Sequence, residues 1–166
     1  MAERVVVIGG DAGGMSAASQ ALRTAKKHGR TLDIVVLERG HWTSYSACGI
    51  PYWTAGIVDG PDELVARTPE EHRKRGIDVR MRTEAVRIDI DRRALDVVEQ
   101  ESGKRGKVEF DQLVIATGAE PIRPDVPGVD SSGIHGVQTL DDGAALLDRL
   151  EKDDPKRAVI VGGGYI

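Results

Sequence analysis

Three groups of residues in this 166-residue chain have types and a spacing that could do chemistry. The first is Gly9-Gly10-Asp11-Ala12-Gly13-Gly14, directly after the apolar run Val5-Val6-Val7-Ile8. A strand that ends in glycines and turns into a helix presents backbone N–H groups and the positive end of a helix dipole, which together hold a pyrophosphate. Glycine is required wherever a Cβ would block the approach of phosphate or strand. Against the pattern G-x-G-x-x-G, the middle glycine is replaced by Asp11. The second group is Glu38, twenty-odd residues past Gly14, where an acid is placed to accept hydrogen bonds from ribose hydroxyls. The third is Cys48, the only cysteine, in a loop that also holds Trp42, Tyr45, Tyr52 and Trp53. Four of the chain's six aromatic residues fall within those twelve positions, so the loop reads as packed and functional rather than as a linker.

The elements needed to position these groups are legible around them. Met15, Ala18, Leu22 and Ala25 form one apolar helix face, and Lys26-Lys27-His28-Gly29 closes that helix with basic residues and a glycine. A second buried strand, 32–37, delivers Glu38 and completes a βαβ unit. Thr68-Pro69-Glu70-Glu71 is a capping box with proline at the first helical position, and the short basic helix it opens stops at Gly76. Alternating apolar residues follow at Ile77, Val79 and Met81, then at Val86, Ile88 and Ile90, then at Leu95 and Val97, and again at Val108 and Phe110. Residues 83–110 therefore predict a small antiparallel meander inserted in a crossover. Leu113-Val114-Ile115-Ala116 is a buried parallel strand with Thr117-Gly118 at its carboxyl end, where open α/β sheets bind ligands. Pro121, Pro124 and Pro127 stiffen an exit segment, and 141–150 reads as an amphipathic helix.

Residues 156–166 repeat the opening pattern of charge, apolar strand and glycine turn, ending in Gly162-Gly163-Gly164-Tyr165-Ile166. Residues 158–161 are expected to be a buried strand of a second nucleotide domain, of which the chain holds only the start. The alternative is that this strand joins the first sheet. The predicted fold class is α/β: a Rossmann-like fold with a parallel sheet and a small antiparallel meander. The expected boundaries are 1–120 for the first part of a nucleotide-binding domain, 121–155 for a connecting segment and 156–166 for the start of the second.

Composition narrows the function classes. Hydrophobic residues make up 40% and charged residues 30%, as in globular proteins, and the net charge is −4. No clustered excess of Lys and Arg marks a nucleic-acid surface. No apolar run approaches the ~20 residues of a membrane span. The first strand starts at Arg4 or Val5 with no leader pattern before it, and one cysteine forms no internal disulfide, so a reducing cytoplasm is the expected location. Four scattered histidines and one cysteine make no metal set.

In order along the chain, the first glycine turn, Ser44-Tyr45-Ser46-Ala47-Cys48-Gly49-Ile50-Pro51-Tyr52, Ala116-Thr117-Gly118 and the second glycine turn resemble the N-terminal part of a flavin-dependent pyridine nucleotide–disulfide oxidoreductase. The likeness is to the single-cysteine branch of coenzyme A-disulfide reductases and NADH oxidases, and it covers the whole chain. It implies FAD on Gly9, Gly10, Asp11, Ala12, Gly13 and Gly14, with Glu38 and Arg39 at the adenosine end. It implies adenine against the Val86 backbone, and Ala116, Thr117 and Gly118 closing over the cofactor. Gly162 and Gly164 would open the site for NADH or NADPH, the electron donor. Asp11 is expected to point away from the phosphates, either capping the helix or reaching the ribityl side. Ser16, Gln20, Arg23 and Ser44 match positions that grip coenzyme A, although Gln20 and Arg23 also suit a solvated helix face. Ala47 stands where asparagine is common in the reductases.

The implied chemistry is a two-electron relay from NAD(P)H through FAD to a catalytic Cys48, and on to coenzyme A disulfide or another sulfur or oxygen acceptor. Without a second cysteine, Cys48 must pair with a substrate thiol or be oxidised to sulfenic acid, which separates a disulfide reductase from an NADH oxidase or peroxidase. A thiolate is the active form in either case. A third possibility is an FAD-binding piece that is inactive alone. The full-length enzyme is expected to be a homodimer.

Overall fold

A computed structural model describes residues 2–162, and the chain divides into two compact units. The first comprises residues up to 46 and 62–120. Its centre is a parallel sheet of four strands: β1 (Glu3–Ile8), β2 (Leu32–Leu37), β3 (Ile77–Arg80) and β7 (Gln112–Ile115), in the order β3-β2-β1-β7. The meander β4 (Thr83–Asp89), β5 (Ala94–Glu99) and β6 (Arg105–Glu109) is antiparallel and lies between β3 and β7 in sequence.

Strand alternation explains how both layers attach. Successive side chains of a strand point to opposite faces. On one face Val5, Val7, Ile34, Val36, Ile77 and Val79 pack with Met15 and Ala18 of α1 (Ala12–Lys27). On the other, Val6, Val35 and Leu37 pack with Leu95, Val97 and Val108 of the meander. Both faces of β1 and β2 are thus covered, which is why their sequences are continuous apolar runs rather than alternating ones. The edge strand β3 is tied to the helix that precedes it. α3 (Pro69–Arg75) begins in the complete Thr68–Glu71 capping box and ends at Gly76 in the left-handed region. Arg73 then donates from Nε and Nη2 to the Val79 carbonyl, at 3.1 and 2.6 Å, tying α3 to β3.

The second unit comprises 47–61 and 121 onward. Cys48 lies in a single 3₁₀ turn, Ala47–Gly49, that runs straight into the short helix α2 (Ile50–Thr54). Pro51 reads as a loop residue in the sequence, but near a helix start it lacks only a donor that would be unpaired anyway. α2 packs on α4 (Leu140–Asp153): Gly143 faces Trp53 and Ile50 so closely that a Cβ there would lie 2.8 Å from the indole. α4 starts one residue earlier than 141–150 and runs three further, because Thr139 and Asp142 form a capping box. The expected strand at 158–161 is absent: Val159, Ile160 and Val161 are 81–93% exposed and pair with no strand among the described residues. A strand buried on both faces needs neighbours on either side, and none is present here.

Candidate functional site

The glycine turn is built by close packing. Gly9 has φ +102°, and a Cβ on it would lie 2.1 Å from the Ala116 carbonyl oxygen. A Cβ on Gly14 would lie 1.8 Å from the Gly9 carbonyl oxygen. These two glycines set how near α1 and β7 come to the turn. Gly13 is different, since a Cβ there meets only the Ala116 methyl at 3.9 Å, so the space over it is open to a ligand. The first N–H groups of α1 have no carbonyl to meet within the helix. Asp11 occupies the N-cap position but its side chain does not cap. Its carboxylate accepts instead from the Tyr45 N–H at 3.2 Å, bracing the turn against the loop that leads to the cysteine.

Glu38 is clamped in place. One carboxylate oxygen accepts from the Gly10 N–H at 2.6 Å and the other from the Gly40 N–H at 2.6 Å. Its backbone bridges to Arg80 and Thr83 at 2.9 and 2.8 Å. Each oxygen retains a second lone pair, so the carboxylate can still accept from ribose hydroxyls. Beside it opens a cleft of about 330 Å³ walled by Gly9, Glu38, Arg39, Thr83–Ala85 and residues 117–120. Arg39 meets Glu120 across this wall at 2.8 Å. Both side chains are exposed, so the pair contributes little to stability. Val86 is half-exposed on a β-bulge, one residue beyond the cleft wall at Ala85. Ala116 donates to the Ile8 carbonyl at 2.8 Å, and Gly118 has φ +69°, turning the chain at the carboxyl end of β7.

A second cleft, of about 440 Å³, lies along the start of α1. It brings together Asp11, Ala12, Ser16, Arg23 and Ser44 with Arg67 and His72. Gln20 does not line it but accepts from Arg23 Nη2 at 2.8 Å and so orients that guanidinium. Ser44 has φ +52°, a left-handed conformation that is uncommon outside glycine. Its Oγ is 2.9 Å from His72 Nε2, and the neighbouring Thr43 hydroxyl donates to the Gly10 carbonyl. His72 is buried, which disfavours its charged form; Arg67 and Arg75 push its pKa further below the ordinary imidazole value, and Glu71 opposes them.

Ala47 and the exposed Cys48 belong to the second unit. Gly162 is exposed with φ +102°, and Gly164 lies outside the described residues. Sequence reasoning missed Thr43, Arg67, His72 and the Thr83–Ala85 wall. One signal was available for His72: within Pro69–Arg75, only Pro69 and His72 carry no formal charge, and they are three apart on one helix face.

Residues 3–166 match the family described as pyridine nucleotide-disulphide oxidoreductase. The chain is 38% identical over 167 residues to the NAD(P)H coenzyme A polysulfide/persulfide reductase of Pyrococcus horikoshii, covering 100% of this chain and 36% of that one. It is 34% identical over 164 residues to the NADH oxidase of Methanocaldococcus jannaschii, covering 98% of this chain and 36% of that one. Among solved structures, reduced Bacillus anthracis CoADR-RHD superposes with a TM-score of 0.86 at 26% identity, over 94% of this chain and 28% of that one. The chain thus spans about a third of the length of the curated relatives it matches. With the family match running through both glycine turns, and with the parallel sheet and meander in place, the chain belongs to the pyridine nucleotide-disulphide oxidoreductase family.

Proposed function

We propose that the full-length protein is an FAD-dependent NAD(P)H oxidoreductase that reduces a disulfide or persulfide of coenzyme A through Cys48. The observation that carries this reading is the second cleft, which Ser16 and Arg23 of α1 line together with Ser44 and Arg67. Two guanidinium groups and two hydroxyls suit a ligand that carries phosphates and a polar thiol arm. The name of the P. horikoshii relative supports the same substrate class.

The residues of the first unit fit a dinucleotide. Open space over Gly13, the unpaired N–H groups opening α1 and the clamped Glu38 would hold pyrophosphate and ribose, with the 330 Å³ cleft beside them for the adenosine. A bound flavin supplies two-electron transfer between nicotinamide and sulfur. Arg39, Thr117 and Gly118 would orient it, and Gly162 and Gly164 would open the nicotinamide site. Ser46 lines the second cleft, and Cys48 follows two residues later in the sequence. The Cys48 thiolate attacks one sulfur of coenzyme A disulfide, forming a Cys48–coenzyme A mixed disulfide and expelling one coenzyme A thiolate. Two electrons from NAD(P)H then cleave that bond, restoring the Cys48 thiolate and releasing the second coenzyme A.

A second reading, an oxidase that cycles Cys48 through sulfenic acid, is favoured by the name of the M. jannaschii relative. Mass spectrometry of the isolated full-length protein separates the two. A coenzyme A adduct on Cys48 is expected, whereas one or two added oxygens would favour the oxidase. Cys48→Ser is expected to keep flavin and its reduction by nicotinamide while losing disulfide reduction. Full activity of that variant with disulfides and with oxygen would overturn the role of the cysteine.

A further inference from the structure

We infer that His72 is a positioning residue: its ring fixes the Ser44 hydroxyl as a hydrogen-bond donor to an anionic, phosphate-type oxygen of the ligand in the second cleft. The inference rests on the reading of that cleft as the coenzyme A site.

The ring itself is held rigidly. The capping box sets the start of α3, and Arg73 bonds the Val79 carbonyl, so the backbone that carries His72 is tied at both ends. The residue is 1% exposed. Its Nε2 meets Ser44 Oγ at 2.9 Å, and its buried Nδ1 has no hydrogen-bond partner among the described residues.

That asymmetry selects a tautomer. A neutral imidazole carries one N–H and one lone pair. With the proton on Nδ1, a buried donor would be left unmade, the costlier of the two defects. With the proton on Nε2, only a ring lone pair goes unused. Burial and the flanking Arg67 and Arg75 keep the ring neutral. Nε2–H therefore donates to Ser44 Oγ.

The consequence passes to the serine. Having accepted from His72, Ser44 must direct its own proton elsewhere. Thr43 Oγ1, at 3.4 Å, is a poor acceptor, and Thr43 spends its own proton on the Gly10 carbonyl. A better acceptor entering the cleft takes the Ser44 proton. Arg23 and Arg67, which line the same cleft, draw an anionic oxygen there, while the Asp11 carboxylate is turned to the Tyr45 N–H.

Two measurements on the full-length protein test this. Long-range ¹H–¹⁵N correlation at neutral pH should show the His72 proton on Nε2; a proton on Nδ1 overturns the inference without any substitution. Calorimetric titration then compares coenzyme A with pantetheine, which shares the thiol arm but has no phosphate. His72→Leu should weaken coenzyme A about tenfold, the loss of one hydrogen bond to a charged group, and leave pantetheine unchanged. His72→Gln, whose amide N–H can stand in for Nε2–H, should recover coenzyme A binding to within about threefold of wild type. Equal losses for both ligands, or no loss in His72→Leu while Arg23→Ala is impaired, would overturn the role of His72 alone. Unchanged coenzyme A binding in Arg23→Ala would overturn the assignment of the cleft, and this inference with it.

Discussion

A single carboxylate, Glu38, holds two glycine N–H groups, that of Gly10 in the strand-to-helix turn after β1 and that of Gly40 in the loop after β2. Glu38→Ala strands both donors in a partly buried site. The expected loss is about 2–4 kcal/mol, from two hydrogen bonds to a charged acceptor, read as a lower Tm together with loss of flavin on gel filtration of the full-length protein. Glu38→Gln should fall between the two, because its amide nitrogen faces one of the N–H groups and cannot accept from it. His72 makes a prediction in pH. Its folded-state pKa is depressed by burial, then by Arg67 and Arg75, against Glu71. The unfolded chain takes up a proton near about pH 6.5, while the folded one resists until lower pH. The associated stability is fully present above that value and is lost as the pH falls through the folded-state pKa. Urea denaturation at pH 7.5 and 5.5 should show a larger loss in wild type than in His72→Gln; equal losses would show that the ring is not held neutral. At this scale the sequence was legible where one residue type permits one geometry, as at Gly9 and Gly14. It marked Asp11 as a departure from the glycine pattern without revealing the brace to Tyr45, and it marked Ser44 without revealing its partner His72, 28 residues away.

Among elements, β1, the turn and α1 form one piece whose tolerance is set by where a Cβ would go. Gly14→Val should abolish folding of the unit or strip it of flavin, since even the first side-chain carbon would overlap the Gly9 carbonyl. Gly13→Ala should keep the fold, because its Cβ meets nothing closer than 3.9 Å; circular dichroism and melting of the two variants check the contrast. Thr68→Ala removes one side of the capping box on α3 and should cost about 1 kcal/mol, measured by denaturant titration. The Thr68 box was legible because Thr, Pro and Glu stand in the usual order. The Thr139 box was not, because its third helical residue is Asp142 rather than Glu or Gln. α2 was hidden by Pro51, and the place of β3 at the edge of the parallel sheet by the fact that alternating residues such as Ile77 and Val79 do not say whether a strand joins a parallel or an antiparallel partner.

On the scale of the whole molecule, the grouping of 47–61 with 121 onward could not be read from sequence, because it depends on Gly143 fitting beneath Trp53 and Ile50. Gly143→Val should cost about 1–3 kcal/mol of overpacking and speed amide exchange in α2 and α4, with β1 and β2 keeping their protection. Exchange at residues 158–161 should also be fast in the isolated 166-residue chain, given their exposure there. Protection there in a monomer would show that this segment completes a sheet. The pairing of β1 with β7 has a consequence for the chain as it is made. Val5 pairs with Gln112, and the Arg4 N–H reaches an acceptor 107 residues further on. At ribosomal rates of about 5–20 residues per second, the β7 flank of β1 waits roughly 5–20 s for its partner, while β4, β5 and β6 close as soon as each emerges. During that interval Val5, Val6, Val7 and Ile8 present an open apolar edge to solvent or to a chaperone, and a chain cut short before Gln112 leaves that edge uncovered for good.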